Sequence, residues 1–107
     1  MHKGTIVLVP FPFTDLSGHK VRPALVLHAP RKGEDIIVAF ITSLSSKKRD
    51  YTVELKPSHL NGIKAVSTIR LDKLATLESK VVVGELGTLE PLYLKNIDAT
   101  LSKVFDL

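Results

Sequence analysis

Apolar residues in this chain come in short β-branched runs, each cut off by proline, glycine or a polar cluster. Only the last stretch repeats at helical spacing. Runs this short cannot form the amphipathic helices that build an all-α core, so residues 5–9, 24–28, 36–41 and 51–55 are predicted strands. Residues 36–41 are nearly continuous in apolar side chains, as in a strand covered on both faces. Residues 51–55 alternate with period two, as a half-exposed strand does. Pro10-Phe11-Pro12-Phe13 carries two prolines, which oppose regular central pairing and predict that the first strand stops at Val9. The polar segment 14–20 reads as a turn, Arg22-Pro23 opens the second run, and residues 30–35 read as a hairpin connection. Residues 42–49 are polar, then basic, and are expected to form an exposed loop.

Further along, Asn61-Gly62 is a turn dipeptide. Residues 65–70 and 73–77 are predicted as two more strands, while residues 81–86 fit either a strand or a short turn-like element. The tail is the clear helix: Thr88 is placed as its cap, with Glu90 and Pro91 in the first turn. Leu94, Ile97, Leu101, Val104 and Phe105 form its apolar stripe. The expected architecture is mainly β (α+β): one domain over residues 1–107, about six or seven strands in a small, strongly curved antiparallel sheet or half-barrel, closed by a C-terminal helix.

Composition narrows the chemistry. The 107 residues include no cysteine, which excludes disulfides, thiolate metal sites and cysteine nucleophiles, and fits a reducing compartment. No apolar run approaches the roughly 20 residues of a membrane-spanning helix. The N-terminus lacks a small-residue cleavage site, so the expected location is the cytoplasm. Fifteen Lys and Arg against eleven Asp and Glu leave a net charge of +4, which suits either a polyanionic partner or simple solubility. There is no phosphate-cradling glycine loop, zinc-protease motif or nucleophile elbow. The four histidines lie too far apart for metal-ligand spacing, so neither a metal nor a cofactor is expected. The polar groups of interest sit at strand ends: His19 and Arg22, Thr42 and Ser43, Arg70 and Asp72.

Three of these neighbourhoods carry a family pattern. Phe11-Pro12-Phe13-Thr14-Asp15-Leu16-Ser17-Gly18, followed by Lys20-Val21-Arg22-Pro23-Ala24-Leu25-Val26-Leu27, resembles the opening of MazF/PemK toxins of type II toxin–antitoxin systems. So do Ala39-Phe40-Ile41-Thr42-Ser43 and the stretch Ser67-Thr68-Ile69-Arg70-Leu71-Asp72-Lys73-Leu74-Ala75-Thr76-Leu77. The motifs keep the family's order through essentially the whole chain.

The resemblance implies an SH3-like barrel, a homodimer, and sequence-selective, metal-independent cleavage of single-stranded RNA (mRNA) that leaves a cyclic phosphate. It also implies inhibition by a cognate antitoxin protein. Arg22 matches the family's active-site arginine and Thr42 its active-site threonine. Arg70, Asp72 and His19 match groups that part of the family uses in catalysis. A guanidinium grips phosphate in two places and stays charged, a hydroxyl can donate to a phosphate oxygen, and an imidazole can move a proton near neutral pH. Ser43, Lys20 and the basic run Lys47, Lys48 and Arg49 are candidate RNA contacts, the run being otherwise a solvated loop. Phe11 and Phe13 would either stack on bases or pack beneath the neighbouring loop. Two rival readings stand beside this one. The first is a non-catalytic nucleic-acid-binding barrel. The second is a CcdB-like toxin that targets a protein through its C-terminal residues, which here are expected to be taken up by helical packing.

Overall fold

The computed structural model of the chain describes residues 1–11, 20–42 and 50–107. Its elements are strands β1 (Thr5–Phe11), β2 (Lys20–His28), β3 (Asp35–Thr42), β4 (Thr52–Leu55), β5 (Ser67–Glu78) and β6 (Gly84–Thr88), then helix α1 (Pro91–Val104). A one-turn 3₁₀ segment, Ser79–Val81, joins β5 to β6. The strands form one sheet in the order β4-β5-β3-β2-β1-β6, and every pairing is antiparallel. This is the curled sheet with a terminal helix that the apolar pattern predicts.

Each face of the sheet buries its own cluster, because side chains alternate between faces along a strand. On the helix side, Ile6, Leu25, Ala39, Ile41, Leu55, Ile69 and Leu71 pack with Leu89 and Ile97. On the opposite side, Val7, Val9, Ala24, Val26, Ile36, Val38 and Leu77 form a smaller cluster, against which Val81 and Val82 pack. Ile97 is the anchor of α1 and is fully buried. Ile97→Ala is expected to lower unfolding free energy by about 2–5 kcal/mol, because its removal leaves a cavity between helix and sheet; urea denaturation reads the change directly.

Four sequence-based expectations need correction. The prolines do not end β1 at Val9: the strand runs on, pairing Pro10 with Val21 and Phe11 with Lys20. Proline is tolerated there because β6 flanks β1 only between Thr5 and Leu8, so Pro10 has no ladder to break on that side. Pro23 likewise sits where β2 pairs with β1 alone, since β3 joins at Ala24.

The two strands expected at residues 65–70 and 73–77 are one continuous strand, β5. It is bent where the β3 pairing jumps from Ala39↔Leu74 to Phe40↔Arg70. Three extra residues, 71–73, are absorbed there, and the Leu71 N–H turns to the Tyr51 carbonyl at 3.0 Å. An odd insertion swaps the faces. Ile69 and Leu71 therefore face the helix before the bend, while Ala75 and Leu77 join the opposite cluster after it.

The third correction concerns the start of α1. Thr88 is the last residue of β6, and Glu90 takes the cap position with Pro91 beginning the helix. The Glu90 carboxylate accepts from Ser58 Oγ at 3.1 Å rather than capping its own helix. The fourth lies at the other end. Leu101 and Val104 pack on the core as expected, but Phe105 is beyond the helix and is exposed, as is Leu107, so the last three residues are not taken up by helical packing. The chain closes there by bonding the Leu107 N–H to the Ser102 carbonyl (2.9 Å) and the Asp106 N–H to the Lys103 carbonyl (3.3 Å). Asp106 adopts φ 55° to do so.

Candidate functional site

The face opposite α1 divides in two. Its apolar half is the smaller cluster described above; the other half is polar and holds the candidate residues. Arg22 lies two residues before Ala24 on β2 and so shares its face, but it lies past the cluster and is exposed. The proline that follows disfavours helical backbone at Arg22 and holds it extended. Lys20, two residues earlier, lies on the same face and is also exposed. On β3, Phe40 pairs with Ala24, and Thr42 is the next residue on that face. The β2–β3 pairing ends at Ala24↔Phe40, and Arg22 and Thr42 are each the next residue of that face beyond it, so both stand at this end of the two strands. A guanidinium and a hydroxyl thus stand on one face at neighbouring strand ends.

β5 extends the row. Thr68 pairs with Thr42 and Arg70 with Phe40, which brings both onto the polar half. Arg70 and Asp72 form a two-pronged ion pair, Nε to Oδ1 at 2.9 Å and Nη2 to Oδ2 at 2.7 Å. These hydrogen bonds raise the Arg70 pKa; partial burial pulls it the other way, and the attraction to the Asp72 charge adds to the rise. Arg70 is therefore cationic at any working pH, and the pair points its guanidinium with two fixed bonds. The pair is partly buried, so the cost of removing both charges from water offsets much of their attraction, and orientation is its main effect.

Arg22, Thr42, Arg70, Asp72 and Lys20 thus come together on one surface from three strands. His19, Phe13, Ser43, Lys47, Lys48 and Arg49 lie outside the described residues, as does the side chain of Phe11. Two groups on this surface, Thr68 and Glu54, are not singled out by the sequence. The row Glu54–Thr68–Thr42 follows from β4 pairing with β5 and β5 with β3. Glu54 stands in no motif, and Thr68 carries no distinguishing signal within its own; only the period-two alternation of residues 51–55, continued across the sheet, could have pointed to Glu54. An open groove of about 830 Å³ lies at the far end of the β2–β3 hairpin, where Arg31, Lys32 and Lys80 face Asp35, Glu78 and Glu85. Its charges are balanced and it contains none of the candidate residues.

A family model described as the PemK-like, MazF-like toxin of type II toxin–antitoxin systems matches residues 2–105. The chain belongs to this toxin family. Solved structures agree on the fold of a PemK/MazF-type toxin. A mycobacterial endoribonuclease in complex with its cognate antitoxin superposes with a TM-score of 0.80 at 19% identity, over 100% of this chain and 96% of that one. A MazF toxin of Mycobacterium tuberculosis gives 0.75 at 20% identity, covering 96% and 97%. MazF in the MazE–MazF complex of Deinococcus radiodurans gives 0.74 at 24% identity, covering 98% and 94%. No curated protein sequence matches the chain. Within the PemK/MazF pattern, Arg22, Thr42, Arg70 and Asp72 are the motif positions that the fold gathers on one face.

Proposed function

We propose that this toxin is a sequence-selective endoribonuclease that cuts single-stranded RNA, mRNA above all, by attack of the ribose 2′-hydroxyl on the adjacent phosphorus. The observation that carries the reading is the placement of Arg22 and Thr42 on one face at neighbouring strand ends, with the oriented Arg70–Asp72 pair on the same face. Solved structures of similar fold include endoribonucleases, one of them in complex with its cognate antitoxin.

In the step proposed, the 2′-oxygen bonds to phosphorus and the bond to the 5′-oxygen breaks, leaving a 2′,3′-cyclic phosphate and a 5′-hydroxyl. The 2′ proton passes to a base, and the departing 5′-oxygen takes up a proton. Arg22 and Thr42 stabilise the extra charge on the non-bridging oxygens, which grows in the transition state. Both Asp72 oxygens already accept from Arg70, which weakens that carboxylate as a base and favours His19 as the proton acceptor. Arginine is too weak an acid to protonate the leaving group. The nucleophile is tethered beside its target, so the chemistry requires no metal to generate it.

The same reading makes the protein a cytoplasmic homodimer, as the family resemblance implies, held inactive by a cognate antitoxin. An acidic segment of that partner would compete with RNA for Lys20, Arg22 and Arg70. The test is cleavage of a long, mixed-sequence single-stranded RNA in excess EDTA. Discrete fragments ending in cyclic phosphate are expected. A matched substrate carrying one 2′-deoxy sugar at a mapped cut should stay intact; efficient cutting of it would sink the mechanism. Binding without any cleavage across several RNAs would favour the non-catalytic barrel.

A further inference from the structure

Glu54 carries a charge on the site face that the mechanism above does not use. It is exposed on β4, between Val53 and Leu55, which are buried toward the helix. Its Cα partner is Thr68, whose partner in turn is Thr42. Among the described residues its carboxylate enters no ion pair: the three salt bridges there are Lys3–Asp98, Arg70–Asp72 and Lys80–Glu78. On the ribonuclease reading, a carboxylate on the same face as the phosphate-binding arginines repels the backbone of a polyanion. A face built only to hold phosphate gains nothing from it.

We infer that Glu54 is a specificity-determining residue, accepting hydrogen bonds from the Watson–Crick edge of one unstacked base next to the cut. The inference rests on the ribonuclease reading. Position separates this role from that of a general base. With strands about 4.8 Å apart, Glu54 stands roughly 10 Å from Thr42 along the row, and Arg22 lies on the next strand beyond. A general base must come within about 2.6–3.2 Å of the oxygen it deprotonates. A phosphate held between Arg22 and Thr42 therefore lies off to one side of Glu54, while a neighbouring base of the same strand can reach it.

The chemistry of the group names the base. A carboxylate only accepts, and its two oxygens match two parallel donors. Guanine presents such a pair at N1–H and the N2 amino group. Uracil presents one N–H between two carbonyl oxygens, which a carboxylate repels. Single-stranded RNA leaves these edges free to be read.

The experiment is digestion of a randomised single-stranded RNA pool by the full-length protein, with sequencing of the fragment ends, for the parent chain, Glu54→Gln and Glu54→Ala. The parent should show guanine enriched and uracil depleted at one position beside the cut. Both variants should lose that enrichment by about 5–100-fold, the range one two-point base contact supplies. They should still cut their best sequences within a few-fold of the parent rate. An unchanged sequence pattern in both variants overturns the inference while leaving the ribonuclease intact. Loss of all cutting with RNA binding retained also overturns it, since Glu54 would then act in the chemistry. A parent protein that cuts nothing in the pool defeats the ribonuclease reading itself, and this inference with it.

Discussion

Arg22→Ala is expected to cut RNA about 10²–10³-fold more slowly than the parent protein, the loss typical of removing one preorganised donor from a developing oxyanion. The variant should melt at the same temperature, because Arg22 is exposed and exposed substitutions away from caps and networks shift stability by only about ±0.5 kcal/mol. Kinetics with a defined substrate at saturating concentration would show the loss in kcat, since the charge it meets grows only in the transition state. Arg22→Lys separates charge from geometry. Lysine keeps the cation but loses the planar fork, so it should recover only part of the rate. Full activity in the alanine variant would remove Arg22 from the site.

A large effect on stability is expected at a glycine remote from the site. Gly87 lies on β6 against the connection between β4 and β5. A β-carbon added there would overlap the Leu60 carbonyl oxygen and come within 2.7 Å of the Asn61 carbonyl carbon. Both are backbone atoms, and neither can yield. The Thr88 N–H bonds to the Leu60 carbonyl at 2.9 Å. The buried Asn61 side chain ties the connection together by donating to the Lys56 carbonyl and accepting from the N–H groups of Ser58 and Ile63. Gly87→Ala should therefore cost more than about 3 kcal/mol, placing it near the diagnostic outliers of single substitutions. Gly33 provides the contrast. It adopts φ 86° in the β2–β3 turn, but no atom lies within 4 Å of where a β-carbon would sit, so Gly33→Ala should cost only about 1–2 kcal/mol of backbone strain. Denaturant melts of the two variants compare a steric effect with a conformational one. Equal stabilities would mean that the connection over β6 is not held as described.

Much of the architecture is legible along the chain. The spacing of residues 36–41 and 51–55 identifies a central strand and a half-exposed one, and both patterns are present as β3 and β4. The apolar repeat Leu94, Ile97, Leu101 and Val104 locates the helix and its buried face. Local rules fail where they meet a non-local exception. Proline in β1 reads as a strand breaker, yet Pro10 and Pro23 each lie where one neighbour strand is missing, and only the sheet order reveals that. Residues 65–77 look like two strands because a three-residue insertion reverses the inside–outside pattern partway along β5.

The division at the site has the same origin. Residue type and order within the chain identify Arg22 before Pro23, Thr42 at a strand end and Arg70 two residues from Asp72, and the family pattern supplies their expected roles. Period-two alternation alone puts Arg70 and Asp72 on one face. Tertiary structure decided that these groups share one face. That placement depends on strand order and on register across three strands, and a shift of one residue would turn any one of them to the helix side. The same pairings brought Glu54 and Thr68 into the row with Thr42, though neither stands out in the linear sequence. Alternation is a local consequence of backbone geometry and can be read along one strand. Register is set by contacts between segments far apart in the chain, so it emerges only when the sheet is assembled.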